Sequence, residues 1–293
     1  MFRIGIIGTE NSHCHHFINV FNKPDENGKF RYPDCRVTLV YGHYAEENKR
    51  AVEELGAEKV AESIEEMVAN VDAVMVTARD GKFHYEFVKP FIEAGIPAFI
   101  DKPFTVDPEE AVALVKLAKE KNVAICGGSS LKFADGIIEL KKIREENSDK
   151  INSGSVAAPL IFNSEYSGIF FYAPHLTEMT LEIFGYNPKK IFAVEKNGGI
   201  CAIVSYDDFN ISNHFNANGP HYSAGVYTHG GIYNKNIDPS TCGDVECKDF
   251  VNMLRTGKSS QTYRQLVMPV YYMNPLKKSY ETGEWVDINC EIE

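Results

Sequence analysis

The chain has 293 residues, with 41 Asp and Glu against 30 Lys and Arg, for a formal net charge of −11. A composition 44% apolar and 24% charged is that of a globular chain of one large or two ordinary domains. The acidic balance argues against a nucleic-acid partner and against an anionic membrane surface, because both need clustered Lys and Arg.

The first 126 residues alternate between strand and helix patterns. Arg3 to Ile7 reads as a short apolar strand that follows Met1 and Phe2 directly, with no leader-like segment before it. Ser12 to Phe21 reads as a helix capped by Asn11 or Ser12. Residues 23–35 form a long polar insertion. Val37 to Tyr41 is a second strand, and Ala45 to Leu55 a helix stopped by Gly56. A short helix (Ile64 to Ala69), a strand (Ala73 to Thr77) and a helix (Phe83 to Ala94) follow. Then come a strand (Ala98 to Ile100), a helix (Pro108 to Lys121) and a strand (Val123 to Cys126). Short apolar strands between helices suit a parallel sheet covered on both faces, in a doubly wound, Rossmann-like fold. Ligands of that fold bind at the carboxyl ends of the strands, so the informative residues should lie just after each one.

The second part reads differently. A helix (Ala134 to Glu146) and the loop SDKINSGSVAAP precede a helix from His175 to Phe184. Alternating segments follow at Ile191 to Glu195, Ile200 to Tyr206, Asn210 to Asn216 and His221 to Thr228. Alternation predicts antiparallel strands with one covered face. Two helices, Val245 to Leu254 and Tyr263 to Glu281, are available to cover it. The expected organisation is an α/β nucleotide-binding domain over residues 1–128 and an α+β domain, with a largely antiparallel sheet, over 129–293.

The first strand ends Gly8-Thr9-Glu10-Asn11-Ser12-His13. A dinucleotide fingerprint reads G-x-G-x-x-G at this place. Gly8 fills the first glycine position, Glu10 the second and His13 the third. The helix N-terminus still offers backbone N–H groups to a pyrophosphate. The second strand ends Tyr41-Gly42-His43-Tyr44, without the acid that binds a ribose 2′-hydroxyl. The third strand ends Thr77-Ala78-Arg79-Asp80, with His84 on the next helix. The fourth ends Asp101-Lys102-Pro103. A Lys held there beside an Asp can donate to a substrate hydroxyl or a cofactor ribose, or stabilise an alkoxide. On spacing alone, a solvated Lys in a Pro-containing turn is an equal alternative.

The stretch from Asp72 to Gly128 (DAVMVTARDGKFHYEFVKPFIEAGIPAFIDKPFTVDPEEAVALVKLAKEKNVAICGG) resembles the Gfo/Idh/MocA family, the relatives of glucose–fructose oxidoreductase and inositol dehydrogenase. Thr77, His84 and Asp101-Lys102-Pro103 match its T-P-x-x-x-H and E-K-P elements, with Asp for Glu and a small insertion before His84. More loosely, the closing segment FVNMLRTGKSSQTYRQLVMPVYYMNPLKKSYETGEWVDI is similar to the family's last helices and strand. The family's D-x-x-x-H-x-x-D motif matches Phe171 to Glu178, with Phe171 at the first Asp, His175 at the catalytic His and Glu178 at the last acid.

The resemblance implies an NAD- or NADP-dependent oxidoreductase of a sugar, polyol or related hydroxyl compound, homo-oligomeric (dimer or tetramer) and cytoplasmic. Lys102 and His175 are the implied catalytic pair. Gly8, Thr9, Glu10, Asn11, Thr77, Arg79, His84, Asp101, Lys102 and Pro103 are implied at the cofactor, and Lys102, Tyr172, His175 and Glu178 at the substrate, which would sit between the domains. On a helix, His175, Glu178 and Glu182 share a face, from which Glu178 is placed to orient His175. Seven scattered Cys with no C-x-x-C fit reduced thiols, and no metal is expected. His13, Cys14, His15 and His16 form a poor metal set, since only 13 and 16 share a face. His214, His221 and His229 lie among tyrosines at 222, 227 and 233, as a sugar-sized cleft or an interface would. The lost glycines, the missing ribose acid and Phe171 depart from the family pattern. They leave two alternatives: a non-catalytic sensor on the same fold, or a lyase or hydrolase in which the hydride returns within one cycle.

Overall fold

The computed structural model describes every residue except Asn218, Pro220 and Glu293. In chain order the elements are β1 (Phe2–Ile7), α1 (Ser12–Asn22), β2 (Cys35–Tyr41), α2 (Ala45–Glu53), β3 (Lys59–Val60), α3 (Ile64–Asn70), β4 (Ala73–Val76), α4 (His84–Glu93), β5 (Ala98–Asp101), α5 (Pro108–Lys121), β6 (Ile125–Gly128) and α6 (Asp135–Glu146). There follow β7 (Ile151–Pro159), α7 (Ala173–Phe184), β8 (Lys190–Lys196), β9 (Gly199–Ser205), β10 (Asn210–Asn216), β11 (Tyr222–Thr228), β12 (Gly231–Ile237), α8 (Cys242–Thr256), α9 (Tyr263–Thr282) and β13 (Val286–Asp287). The chain forms two compact units. One comprises Met1–Gly127 with Gly243–Thr262, the other Gly128–Cys242 with Tyr263–Glu293.

The first unit holds a six-stranded sheet in the order β3-β2-β1-β4-β5-β6, and its recorded pairings are parallel. Successive strands run outward from β1 to β3 on one side and from β4 to β6 on the other. The order therefore reverses between β1 and β4, which is where such a sheet opens a crevice at its carboxyl ends. The strands are apolar on both faces because helices cover both. On one face Ile4, Ile6, Phe17, Phe21, Val37, Val40, Met75 and Phe99 form a buried cluster.

Phe250, Val251, Met253 and Leu254 of α8 complete that cluster. Phe99 meets Phe17 at 5.3 Å and Phe250 at 6.2 Å between ring centroids, both edge-on. Arg255 closes the far end of α8 on Asp34 through two hydrogen bonds of 2.7 and 2.8 Å. This corrects the expectation that both late helices cover the second sheet. The spacing of apolar residues in α8 reveals an amphipathic helix, but not which sheet its apolar face meets.

The second unit holds a seven-stranded sheet in the order β12-β11-β7-β10-β9-β8-β13. Its recorded pairings are antiparallel except that of β7 with β10. Ile211, Asn213 and Phe215 of β10 point to the covered face, as do Ile200, Ala202 and Val204 of β9. Helices α6, α7 and α9 pack there. The other face leaves Val194 and Ile203 nearly half exposed.

Two strands differ from expectation. β7 falls in a segment read as a loop, and β12 was not anticipated. The β7 sequence INSGSVAAP is small and polar because α7 lies against it. A Cβ at Gly154 would stand 2.1 Å from Phe184 Cζ and 2.8 Å from the Gly225 carbonyl oxygen. Close packing thus selects glycine where an isolated strand would carry a branched residue.

Phe250→Ala is expected to cost about 3–5 kcal/mol of stability in urea unfolding of the full chain, the range for a fully buried Phe. A loss below about 1 kcal/mol would show that α8 is not part of the first core.

Candidate active site

At the β1–β4 crevice, Gly8 has φ +98°, and a Cβ there would lie 2.1 Å from the Ala78 nitrogen. Only glycine fits, so the first position of the fingerprint meets its steric requirement. Asn11 caps α1, its side-chain oxygen accepting from the His13 N–H at 3.1 Å. Its amide donates to the Thr77 carbonyl at 2.9 Å. Thr77 Oγ1 donates back to the Gly8 carbonyl at 2.8 Å, locking the β4 end to the β1 turn.

Glu10 replaces the second glycine. Its Oε1 accepts the Arg79 backbone N–H at 2.9 Å, so this oxygen is tied to the β4-end loop. Thr9 turns its hydroxyl inward to Asn48 Oδ1 at 2.6 Å. Among the described residues, the backbone N–H groups of Thr9, Glu10 and Ser12 make no hydrogen bond. Three unspent donors at the positive end of an eleven-residue helix suit a pyrophosphate. The turn therefore fits a dinucleotide through backbone groups, despite the altered glycine pattern.

At the end of β5, Asp101 is fully buried. It accepts from His13 Nδ1 at 2.7 Å, from the Lys102 backbone N–H at 2.7 Å and from Asn11 at 3.4 Å. Burial alone would raise this carboxyl. The charge and hydrogen bond of His13, then the charge and backbone N–H of Lys102, outweigh it and bring it down to about 2. Lys102 is 4% exposed. Burial lowers its ammonium from the ordinary lysine value, with Arg79 acting the same way and Asp101 and Glu246 opposing. His13, the third-glycine substitute, is thus bound to the strand-end carboxylate. His15 and His16 point elsewhere, at 3.8 Å from Glu47 and Asp244 respectively.

His84 differs from the cofactor contact expected of it. The ring is fully buried, with Nδ1 2.7 Å from the Pro103 carbonyl and Nε2 2.8 Å from the Ala78 carbonyl. It clamps the β4 and β5 loops together, including the cis Lys102–Pro103 peptide, and burial holds it toward the neutral form. Thr77 and His84 therefore hold the crevice from below.

In the second unit, α7 brings His175 and Glu178 to a buried cluster. Two of its members, Ser129 and Lys132, carry no expectation from sequence. Ser129 Oγ lies 2.7 Å from His175 Nδ1. Glu178 Oε1 accepts the Ser129 backbone N–H at 2.6 Å, and its Oε2 pairs with Lys132 Nζ at 2.9 Å. Both charged side chains are only 4% exposed. Glu178 thus acts on His175 through Ser129. A Cβ at Gly128 (φ +87°) would sit 2.5 Å from Glu178 Oε2, so glycine at the end of β6 admits the carboxylate. The strand-end rule that finds Lys102 also points to Ser129, one residue beyond β6.

Tyr172 and Tyr222 complete this cluster. Tyr172 packs edge-on to His175 at 4.9 Å, and its hydroxyl meets that of Tyr222 at 3.1 Å. Burial and the Tyr172 hydroxyl both raise the Tyr222 phenol. Glu182 does not join; it bonds Lys141 at 2.7 Å and Tyr186 at 2.7 Å. The second-unit histidines do not converge either. His214 pairs with Cys201 at 3.6 Å on the open sheet face, where Tyr227 bonds Ser155.

Residues 2–128 match the Gfo/Idh/MocA family, described as an oxidoreductase family with an NAD-binding Rossmann fold. Over 86 residues, 28% of this chain, the sequence is 33% identical to a UDP-N-acetylglucosamine 3-dehydrogenase of Acidithiobacillus ferrooxidans. The matched stretches span roughly a quarter to a third of the lengths of the curated relatives. The fold resembles a myo-inositol 2-dehydrogenase of Lactobacillus plantarum, with a TM-score of 0.83, 18% identity and coverage of 98% of this chain and 99% of that one. It also resembles a scyllo-inositol dehydrogenase of Lactobacillus casei, solved with NAD(H) and scyllo-inositol, with a TM-score of 0.82, 17% identity and coverage of 98% and 99%. Among the described residues no helix is long and apolar enough to cross a membrane.

Two outcomes are expected. Asp101 carries a depressed folded-state pKa, so its stabilisation is present above its ordinary 3.8 and lost as pH falls toward about 2. The stability gap between the native chain and Asp101→Asn should therefore be full above about pH 4 and close near pH 2 in acid-dependent urea melts. Glu178→Gln removes the counter-charge of the buried Lys132 ammonium and should cost about 3–5 kcal/mol. The double change Glu178→Leu with Lys132→Met should recover much of that loss in the same melts.

Proposed function

We propose, from the match of residues 2–128 to the Gfo/Idh/MocA oxidoreductase family, that the protein is an NAD(P)-dependent oxidoreductase of a sugar, polyol or related hydroxyl compound. The observation that carries this reading is the buried Lys102–Asp101 pair, which stands at the strand ends where the β1 turn presents its unspent N–H groups. The names of the relatives, a UDP-N-acetylglucosamine dehydrogenase and inositol dehydrogenases, support the substrate class.

A bound nicotinamide supplies the hydride acceptor or donor. The backbone N–H groups of Thr9, Glu10 and Ser12 would hold its phosphates, and Gly8 would permit their approach. Asp101 fixes the backbone of Lys102, whose ammonium donates to the reacting oxygen and stabilises negative charge there. In the second unit, His175, placed by Ser129 and packed against the Tyr172 ring, is the group available to a polar atom of the substrate. Glu178 and Lys132 supply the rigid base behind Ser129. The same proposal includes a homo-oligomer, for which the exposed Val194 and Ile203 of the open sheet face are suitable, and a cytoplasmic setting.

A second reading, a binding protein without turnover, is favoured by Phe171, which packs on Tyr166 and Tyr172 where the family carries an acid. Calorimetric titration with NADH and NADPH, followed by turnover with a polyol panel including myo- and scyllo-inositol, separates the two. Saturable binding of one cofactor and turnover of at least one polyol are expected. His175→Ala and Lys102→Ala should then lower kcat/KM by about 10²–10⁴-fold. Binding without turnover would support the second reading, and no binding of either cofactor would remove the first. Tight retention of NAD(H) with a non-redox product would indicate internal return of the hydride.

A further inference from the structure

Ser129 is fully buried, so each of its polar atoms needs a partner. Its N–H goes to Glu178 Oε1 and its carbonyl receives the Lys132 N–H. Its hydroxyl oxygen accepts the Leu131 N–H at 3.3 Å. The hydroxyl hydrogen remains, and among the described residues the one acceptor within reach is His175 Nδ1, at 2.7 Å. Were Nδ1 itself protonated, two hydrogens would compete for one short contact, and the serine hydrogen would be left without an acceptor. A buried polar group left unsatisfied biases the balance between the two arrangements by about five- to 150-fold.

We infer that Ser129 is a positioning residue that donates its hydroxyl hydrogen to His175 Nδ1 and so fixes the neutral ring with its proton on Nε2. This inference rests on the oxidoreductase reading for its consequence. Neutral His175 then meets a ligand oxygen as a hydrogen-bond donor through Nε2–H, and does not take a proton there. An acid four residues before the histidine would accept Nδ1–H and leave Nε2 as a base. Phe171 accepts no hydrogen bond, and Ser129 imposes the opposite tautomer. The chain thus uses His175 to polarise the oxygen, a role that suits a carbonyl substrate being reduced or an alkoxide being stabilised.

The test is long-range ¹H–¹⁵N correlation of the full chain labelled with ¹⁵N-histidine, at a pH where the ring is neutral. The His175 signals are identified by their loss in His175→Gln. The expected result is a protonated Nε2 and an unprotonated Nδ1. Ser129→Thr should keep that signature, and Ser129→Ala should lose the bias. A protonated Nδ1 in the native chain, or no change in Ser129→Ala, overturns the inference. Should Ser129→Ala fail to fold, the native chain and Ser129→Thr carry the test alone. NADH titration of the same samples tests the underlying reading separately. Absence of binding removes the ligand-oxygen role, while the tautomer remains measurable.

Discussion

A carboxylate taken out of water must be met by hydrogen bonds or charge, and this constraint organises both candidate sites. Asp101 is fully buried at the end of β5. Its bonds to Asn11, His13 and the backbone of Lys102 join the β1 turn, the start of α1 and the β5 end into one rigid group. Removing the carboxylate would leave the cap residue, the substituted glycine position and the lysine without a common anchor. Glu178 plays the matching part in the second unit, where it receives the Ser129 N–H and the Lys132 ammonium and so sets the hydroxyl against His175.

Each functional candidate is thus held one step away from a buried acid. Lys102 and His175 require precision in their placement, and the carboxylates supply it through the Lys102 backbone and the Ser129 side chain. The same arrangement explains the altered fingerprint. Glu10 spends one oxygen on the Arg79 backbone and His13 is bound to Asp101, so both substitutions are absorbed by the strand-end network. The N–H groups of the turn remain available to an anion.

The doubly wound first unit was readable because its strands are short, apolar and separated by capped helices. Lys102 and Thr77 were singled out by the rule that ligands meet strand ends. His84 was found with them, but its burial depends on where the Ala78 and Pro103 carbonyls lie, which spacing does not reveal. β7 was hidden because its small residues answer to Phe184 and Gly225, distant in sequence. Lys132 and Ser129 were missed for a similar reason. A lysine beside a phenylalanine carries no signal until α7 brings Glu178 to it, and the serine of the Gly-Gly-Ser-Ser run shows only its place just after β6 until His175 meets it. Helix α8 showed its apolar face in sequence, yet its partner, the Phe17–Phe21–Phe99 group, is set by the path of the chain.

The central claim is that the carboxyl ends of β1 and β4 receive a nicotinamide dinucleotide through the backbone of the Gly8–Ser12 turn. A crystal structure of the full chain grown with NADH or NADPH tests it most directly. The account predicts the pyrophosphate on the N–H groups of Thr9, Glu10 and Ser12. A dinucleotide bound elsewhere, or a turn that stays empty at saturating cofactor, would contradict it.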